Sequence, residues 1–206
     1  MYLTQLRLDP QSAQARRDLA DPYDMHRTLV RAFVHDANDT APRFLWRLEP
    51  GQVWAAPVVL VQSEQAGDWS HLAALKGYLL GGDDAVASKQ FDLVALVQRP
   101  RLRFRLAANP TVTRAGKRLG LVGEDAQLAW LQRQGERLGF RPEAALITGS
   151  DMIHGRKGSS RVSLRRVLFE GVLQVRDADL LKQALAQGIG HGKAFGCGLL
   201  SLARSA

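Results

Sequence analysis

One order of elements occurs twice in this chain, and it constrains the fold more than any other feature. Alternating or β-rich runs lie at YLTQLRL (2–8), RFLWRLE (43–49), PVVLVQS (57–63) and FDLVALV (91–97). Helical patterns fall between the first and second runs and between the third and fourth, which gives β-α-β-β-α-β. The same order returns with RLRFRLA (101–107), a helix over about 124–138, a short strand near ALIT (145–148), a long one at RVSLRRVLFEGVLQV (161–175), a helix at 177–187 and GLLSLAR (198–204).

The pattern predicts an α+β fold of two tandem ferredoxin-like (RRM-like) βαββαβ domains, each an antiparallel sheet with two helices on one face. The boundary falls at 98/99, within QRP, where Pro100 interrupts two adjacent strands. Residues 1–98 form the N-terminal domain and 99–206 the C-terminal one. GGDDAVASK (81–89) reads as a polar loop.

Charge separates the two halves. Residues 1–98 carry 9 basic and 12 acidic side chains, and residues 99–206 carry 19 and 8, so the net +8 comes wholly from the second half. Of the 28 basic residues 22 are arginine, whose planar fork suits phosphate and stacks on bases. The balance points to a nucleic-acid partner. A single cysteine, Cys197, and no visible secretion signal fit a cytoplasmic protein. No apolar run approaches the roughly 20 residues that cross a bilayer, so no membrane partner is expected.

DPYDMHRTLV (21–30) begins a helix, with Asp21 as N-cap and Pro22 in the first turn. Met25, Leu29, Ala32 and Phe33 form its buried stripe, His26 sits at the border of that stripe, and Tyr23 lies outside it. The pair Tyr23 and His26, three apart, points to a surface at the helix N-terminus, where a phosphate is favoured. Imidazole there can take the proton of a ribose 2′-OH or return one to a leaving 5′-oxygen. Tyrosine can hydrogen-bond the phosphorane or orient the attacking hydroxyl. Such a pair also occurs as simple packing or capping.

Other catalytic sets are less favourable. His35, His71, His154 and His191 have no His or Cys at zinc-site spacing, so no metal or other cofactor is expected. The serines lack a G-x-S-x-G elbow. GIGHGKAFGCGLLS (188–201) is a glycine-rich loop before the last strand. It is no P-loop, since Ala194 stands where Ser or Thr would meet Mg²⁺, and it lacks the dinucleotide spacing. Its candidate anion-binding residues are Gly190, Gly192, Lys193, Gly196 and Gly198, although the same loop could be packed against a sheet. GRKGSSR (155–161) reads as a basic hairpin or loop with Arg156, Lys157 and Arg161 at its tip, suited to the backbone of an RNA stem.

Taken in order, MYLTQLRL, DPYDMHRTL, LRFRLAANPTVT with GKR (116–118), LAWLQRQ, VLFEGVLQV and GIGHGKAFGCGLLSLA resemble the CRISPR-associated CasE endoribonucleases, over essentially the whole chain. One departure is AANP, where the family pattern is closer to RANP. The resemblance implies the double ferredoxin-like fold and a metal-independent endoribonuclease. Such an enzyme cuts the repeat stem-loop of CRISPR precursor RNA at the base of the stem by 2′-OH attack, leaving a cyclic phosphate. It implies further that the protein stays with the mature guide RNA beside the other Cascade subunits. On it Tyr23 and His26 match the catalytic motif, and the hairpin and glycine loop match RNA-contacting segments. A further catalytic residue is left among Ser150, Ser159, Ser160 or a lysine. The alternative is a non-catalytic RNA-binding subunit of the same fold.

Overall fold

A computed structural model describes all residues except 35, 37–39, 52–54, 205 and 206. The chain divides into two compact units. One is Met1–Phe91 with His154–Val162 and Ala194–Gly196; the other is Asp92–Ile153 with Ser163–Lys193 and Cys197–Ala206. The sequence cut at 98/99 differs from this division by one short helix and by the two returning segments.

In the first unit the strands are β1 (Tyr2–Arg7), β2 (Phe44–Leu48), β3 (Val58–Ser63) and β4 (Val86–Gln90), in the order β2-β3-β1-β4. All pairs are antiparallel, with Thr4 opposite Val61 and Ser88. Helices α1 (Ala13–Ala20) and α2 (Pro22–Val30) follow β1, and a single turn, α3 (Ser70–Ala73), follows β3. Leu6 and Leu8 of the β1 segment, Phe44, Trp46, Val59 and Val61 pack with Met25, Leu29, Ala32 and Phe33 of the helical side. Hydrophobic alternation in the strands meets Met25 and Leu29 of α2 in one core, and Ala32 and Phe33, expected on the same helix, join it from the turn that follows Val30. Within this unit Tyr78 donates a 2.7 Å hydrogen bond to the buried Asp18 carboxylate of α1, which also accepts from Gln14 at 2.8 Å. A buried carboxylate is tolerated because it is hydrogen-bonded.

In the second unit β5 (Arg101–Ala108), β8 (Phe140–Lys157), β9 (Ser160–Val175) and β10 (Leu200–Arg204) stand in the order β10-β5-β9-β8. Helices α5 (Glu124–Arg137) and α6 (Ala178–Gln187) occupy the two helical positions. Both sheets thus show the ferredoxin-like order, in which the first and third strands are central. A small hairpin of β6 (Thr111–Arg114) and β7 (Lys117–Gly120) is added after β5.

Four expectations change. FDLVALV is not a strand: Leu93–Val97 is a helix, α4, packed against α6, and the fourth strand of the first sheet comes from VASKQ inside the expected loop. A short continuous apolar run reads equally as strand or helix, and Asp92 decides it by accepting hydrogen bonds from the backbone N–H of Val94 and Ala95. Pro100 consequently separates a helix from a strand. The short strand near ALIT is instead part of the 18-residue β8. With β9 it forms a long ribbon, closed by Gly158 and Ser159, with Gly158 at φ 61°. A positive φ at the first of two turn residues is the hairpin geometry that follows strand twist.

Candidate active site

Asp21 caps α2 as its sequence predicts. Its Oδ1 accepts from the Tyr23 backbone N–H at 2.8 Å, and Pro22 fills the first turn. Its Oδ2 accepts from the Arg156 backbone N–H at 3.1 Å. The carboxylate therefore takes up part of the positive helix end that would favour a phosphate.

Tyr23 and His26 stand side by side at the head of this helix, with ring centroids 6.2 Å apart, and both are half-buried. Each ring rests on another aromatic. His26 stacks on Phe44 at the start of β2 (5.1 Å, 23°), and Tyr23 stacks on Phe195 (5.9 Å, 30°). Phe44 is in turn stacked on Phe33 of the core. These contacts fix both rings while leaving part of each accessible. His26 Nδ1 is buried.

Arg156 and Arg161 are exposed at the hairpin tip. Neither guanidinium forms an ion pair among the described residues. Lys157 lies in the same tip, but its side chain is outside what is described. Ser159 is in the turn and Ser160 opens β9, both exposed, while Ser150 lies on β8, where Arg165 approaches its hydroxyl at 3.4 Å.

The glycine-rich loop is a packed structure. Gly190, Gly192, Gly196 and Gly198 all have positive φ, from 74° to 99°. A Cβ at Gly190 would lie 3.1 Å from Trp130, at Gly192 3.3 Å from Leu164, at Gly196 3.1 Å from Trp46, and at Gly198 3.1 Å from the Ile189 carbonyl. Backbone bonds close the turn: Ile189 N–H to Gly198 O at 2.9 Å and Gly198 N–H to Ala107 O at 2.7 Å. Lys193 donates to the Gly190 carbonyl at 2.7 Å. His191 is held below the ordinary histidine range by burial first, then by the charges of Arg118 and Lys193.

Of the remaining histidines, His71 has its ring nitrogens at 3.1 Å from Thr28 O and 3.2 Å from Asp68 O, His154 is exposed, and His35 lies outside the described residues. Among the described residues no group of three or more His, Cys, Asp or Glu side chains is placed to hold a metal ion. Nor is any helix among them long and apolar enough to cross a membrane. Cys197 is fully buried, which pushes its thiol up to about 12 and leaves it unreactive.

Phe195 and Phe44 are the site residues that spacing does not reveal. Phe195 carries one signal, as an aromatic side chain set among glycines.

The family model for "CRISPR associated protein" matches residues 1–204. The chain belongs to that family. It is 40% identical to the CRISPR-associated endoribonuclease Cse3 of Thermus thermophilus, over 98% of this chain and all of the relative. It is 33% identical to the Cascade subunit CasE of Escherichia coli, over 92% of this chain and 95% of that one. A solved structure of Thermus thermophilus Cse3 bound to an RNA representing a pre-cleavage complex superposes with a TM-score of 0.86 at 41% identity, covering 98% of each chain.

Proposed function

We propose that this protein is a CRISPR endoribonuclease that binds the stem-loop of repeat RNA and cuts it at the base of the stem, then stays with the guide RNA in a Cascade assembly. One observation carries the assignment of the site. Tyr23 and His26 stand together on a helix head, ring-packed yet partly accessible, and the cap of that head is hydrogen-bonded to the backbone of a basic hairpin tip. The relatives named as endoribonucleases, aligned over nearly the full chain, support the activity.

The chemistry follows from these groups. Arg156, Lys157 and Arg161 hold the stem through its phosphates, because an A-form duplex is read by shape and backbone. The ribose 2′-oxygen attacks the adjacent phosphorus, the bond to the 5′-oxygen breaks, and a 2′,3′-cyclic phosphate and a 5′-hydroxyl result. His26 takes the 2′-OH proton or gives one to the 5′-oxygen, either being worth about 10²–10⁴ in rate. Tyr23 hydrogen-bonds the phosphorane or orients the attacking hydroxyl. No step calls for a metal. The glycine loop serves by carrying Phe195 against Tyr23, while its Lys193 is engaged on the Gly190 carbonyl.

The test is single-turnover cleavage of labelled repeat RNA in EDTA. The wild-type protein cleaves, and His26→Ala loses at least about 10²-fold in rate while its RNA affinity stays within a few-fold. Equal cleavage by His26→Ala would remove the histidine from the mechanism. Binding without cleavage by the wild-type protein would make it an RNA-binding subunit only.

A further inference from the structure

The carboxylate of Asp21 makes two backbone contacts that belong to different segments. Oδ1 caps α2 at Tyr23, and Oδ2 accepts from Arg156 in the basic hairpin tip. The residue before Arg156 is Gly155, and the lack of a side chain there is required: a Cβ would lie 2.7 Å from Asp21 Oδ1 and 2.8 Å from the Phe195 ring. Phe195 in turn stacks on Tyr23. Four residues, Asp21, Gly155, Arg156 and Phe195, thus form one closed junction between the segment that grips and the residues that react.

We propose that Asp21 is a positioning residue, and that this junction sets the distance from the anchored stem to Tyr23 and His26 and so selects the phosphodiester that is cut. The inference rests on the endoribonuclease reading and deepens it. A hairpin whose arginines hold stem phosphates places the RNA only relative to itself. The reacting atoms must still meet His26 in close alignment, and a misplacement of about 1 Å costs on the order of 10²-fold in rate. The Arg156 N–H to Asp21 bond is a charge-assisted link that can carry that register. Asp21 touches no reacting atom, so it acts through the two backbone segments it joins.

Asparagine and serine separate the two contacts. Both are good N-caps and keep an acceptor for the Tyr23 N–H, but neither offers a second carboxylate oxygen to Arg156. Single-turnover cleavage of repeat RNA is measured with Asp21→Asn, Asp21→Ser and Gly155→Ala beside wild type and His26→Ala, together with RNA affinity, thermal melting and product length. The expected result is a rate at least about tenfold lower for all three, or a fraction of product cut at a neighbouring nucleotide. RNA affinity stays within about threefold, the melt is close to wild type for the two Asp21 variants, and the pH midpoint of the rate is unmoved. Asp21 variants that cleave within about twofold of wild type at the same nucleotide overturn the proposal, as do variants whose loss of rate is matched by an equal loss of affinity. If wild type does not cleave, or His26→Ala cleaves normally, the endoribonuclease reading itself fails. If His26→Ala is inactive and Asp21→Asn is normal, only the positioning role does.

Discussion

Residues 154–161 and 188–198 both combine glycine with lysine or arginine, and they end in opposite surroundings. The hairpin tip is exposed: Arg156 and Arg161 face solvent, and the backbone is held at the base through Arg156 N–H on Asp21. The glycine loop is folded in upon itself, its glycines against Trp130, Leu164, Trp46 and Ile189 and its Lys193 on a carbonyl. Composition alone does not tell a surface that waits for a ligand from one that is already filled. What separates them is how many backbone and side-chain partners each residue finds in the folded chain.

That contrast can be broken or sharpened, beginning with the largest effect. Phe195 is 7% exposed and supports Tyr23, so Phe195→Ala should cost about 3–5 kcal/mol of unfolding free energy in a denaturant titration. A loss under about 1 kcal/mol would mean that the loop is not packed as described. Gly196→Ala and Gly198→Ala place a side chain at φ 74° and 99° against Trp46 and Ile189, and each should lower stability by about 1–3 kcal/mol. Neither arginine of the tip should behave this way. Arg156→Ala and Arg161→Ala are expected to leave the melting temperature unchanged, to weaken RNA binding, and to reduce the slope of log affinity against log salt by about 0.7–0.9 each. An unchanged salt slope would take the tip out of the interface.

The smallest effect concerns His191. Its folded pKa lies below its unfolded value, so on acidification through the window just below about 6.5 the unfolded chain takes up the proton first. Stability contributed by the neutral ring is present above that window and declines as pH falls through it. An NMR titration should place the His191 midpoint below the ordinary range, and added salt should raise it by screening Arg118 and Lys193. A midpoint at or above the ordinary value would contradict the cationic setting of the loop.

The order of elements, the antiparallel sheets and the head of α2 are legible in the sequence, because they depend on local periodicity and on Asp21 and Pro22 as cap residues. The apolar run 91–97 misleads because strand and helix share that pattern, although the cap at Asp92 is there to be read. The glycines announce positive φ, but not which side chains press on them. The junction of Asp21, Gly155, Arg156 and Phe195 is not legible at all, since one carboxylate and one ring join segments far apart in the chain, 135 positions in the case of Asp21 and Arg156. Spacing rules reach three or four residues along a helix; such a closure exists only once the chain has folded.

The central claim is that a ribose hydroxyl delivered to His26 is the nucleophile. It is tested most directly by a repeat RNA carrying a single 2′-deoxy substitution at the nucleotide before the cut, incubated with the wild-type protein in EDTA under single-turnover conditions. The predicted result is binding equal to the all-ribose strand and no cleavage at that position. Product at the same phosphodiester from the deoxy-substituted strand would contradict it.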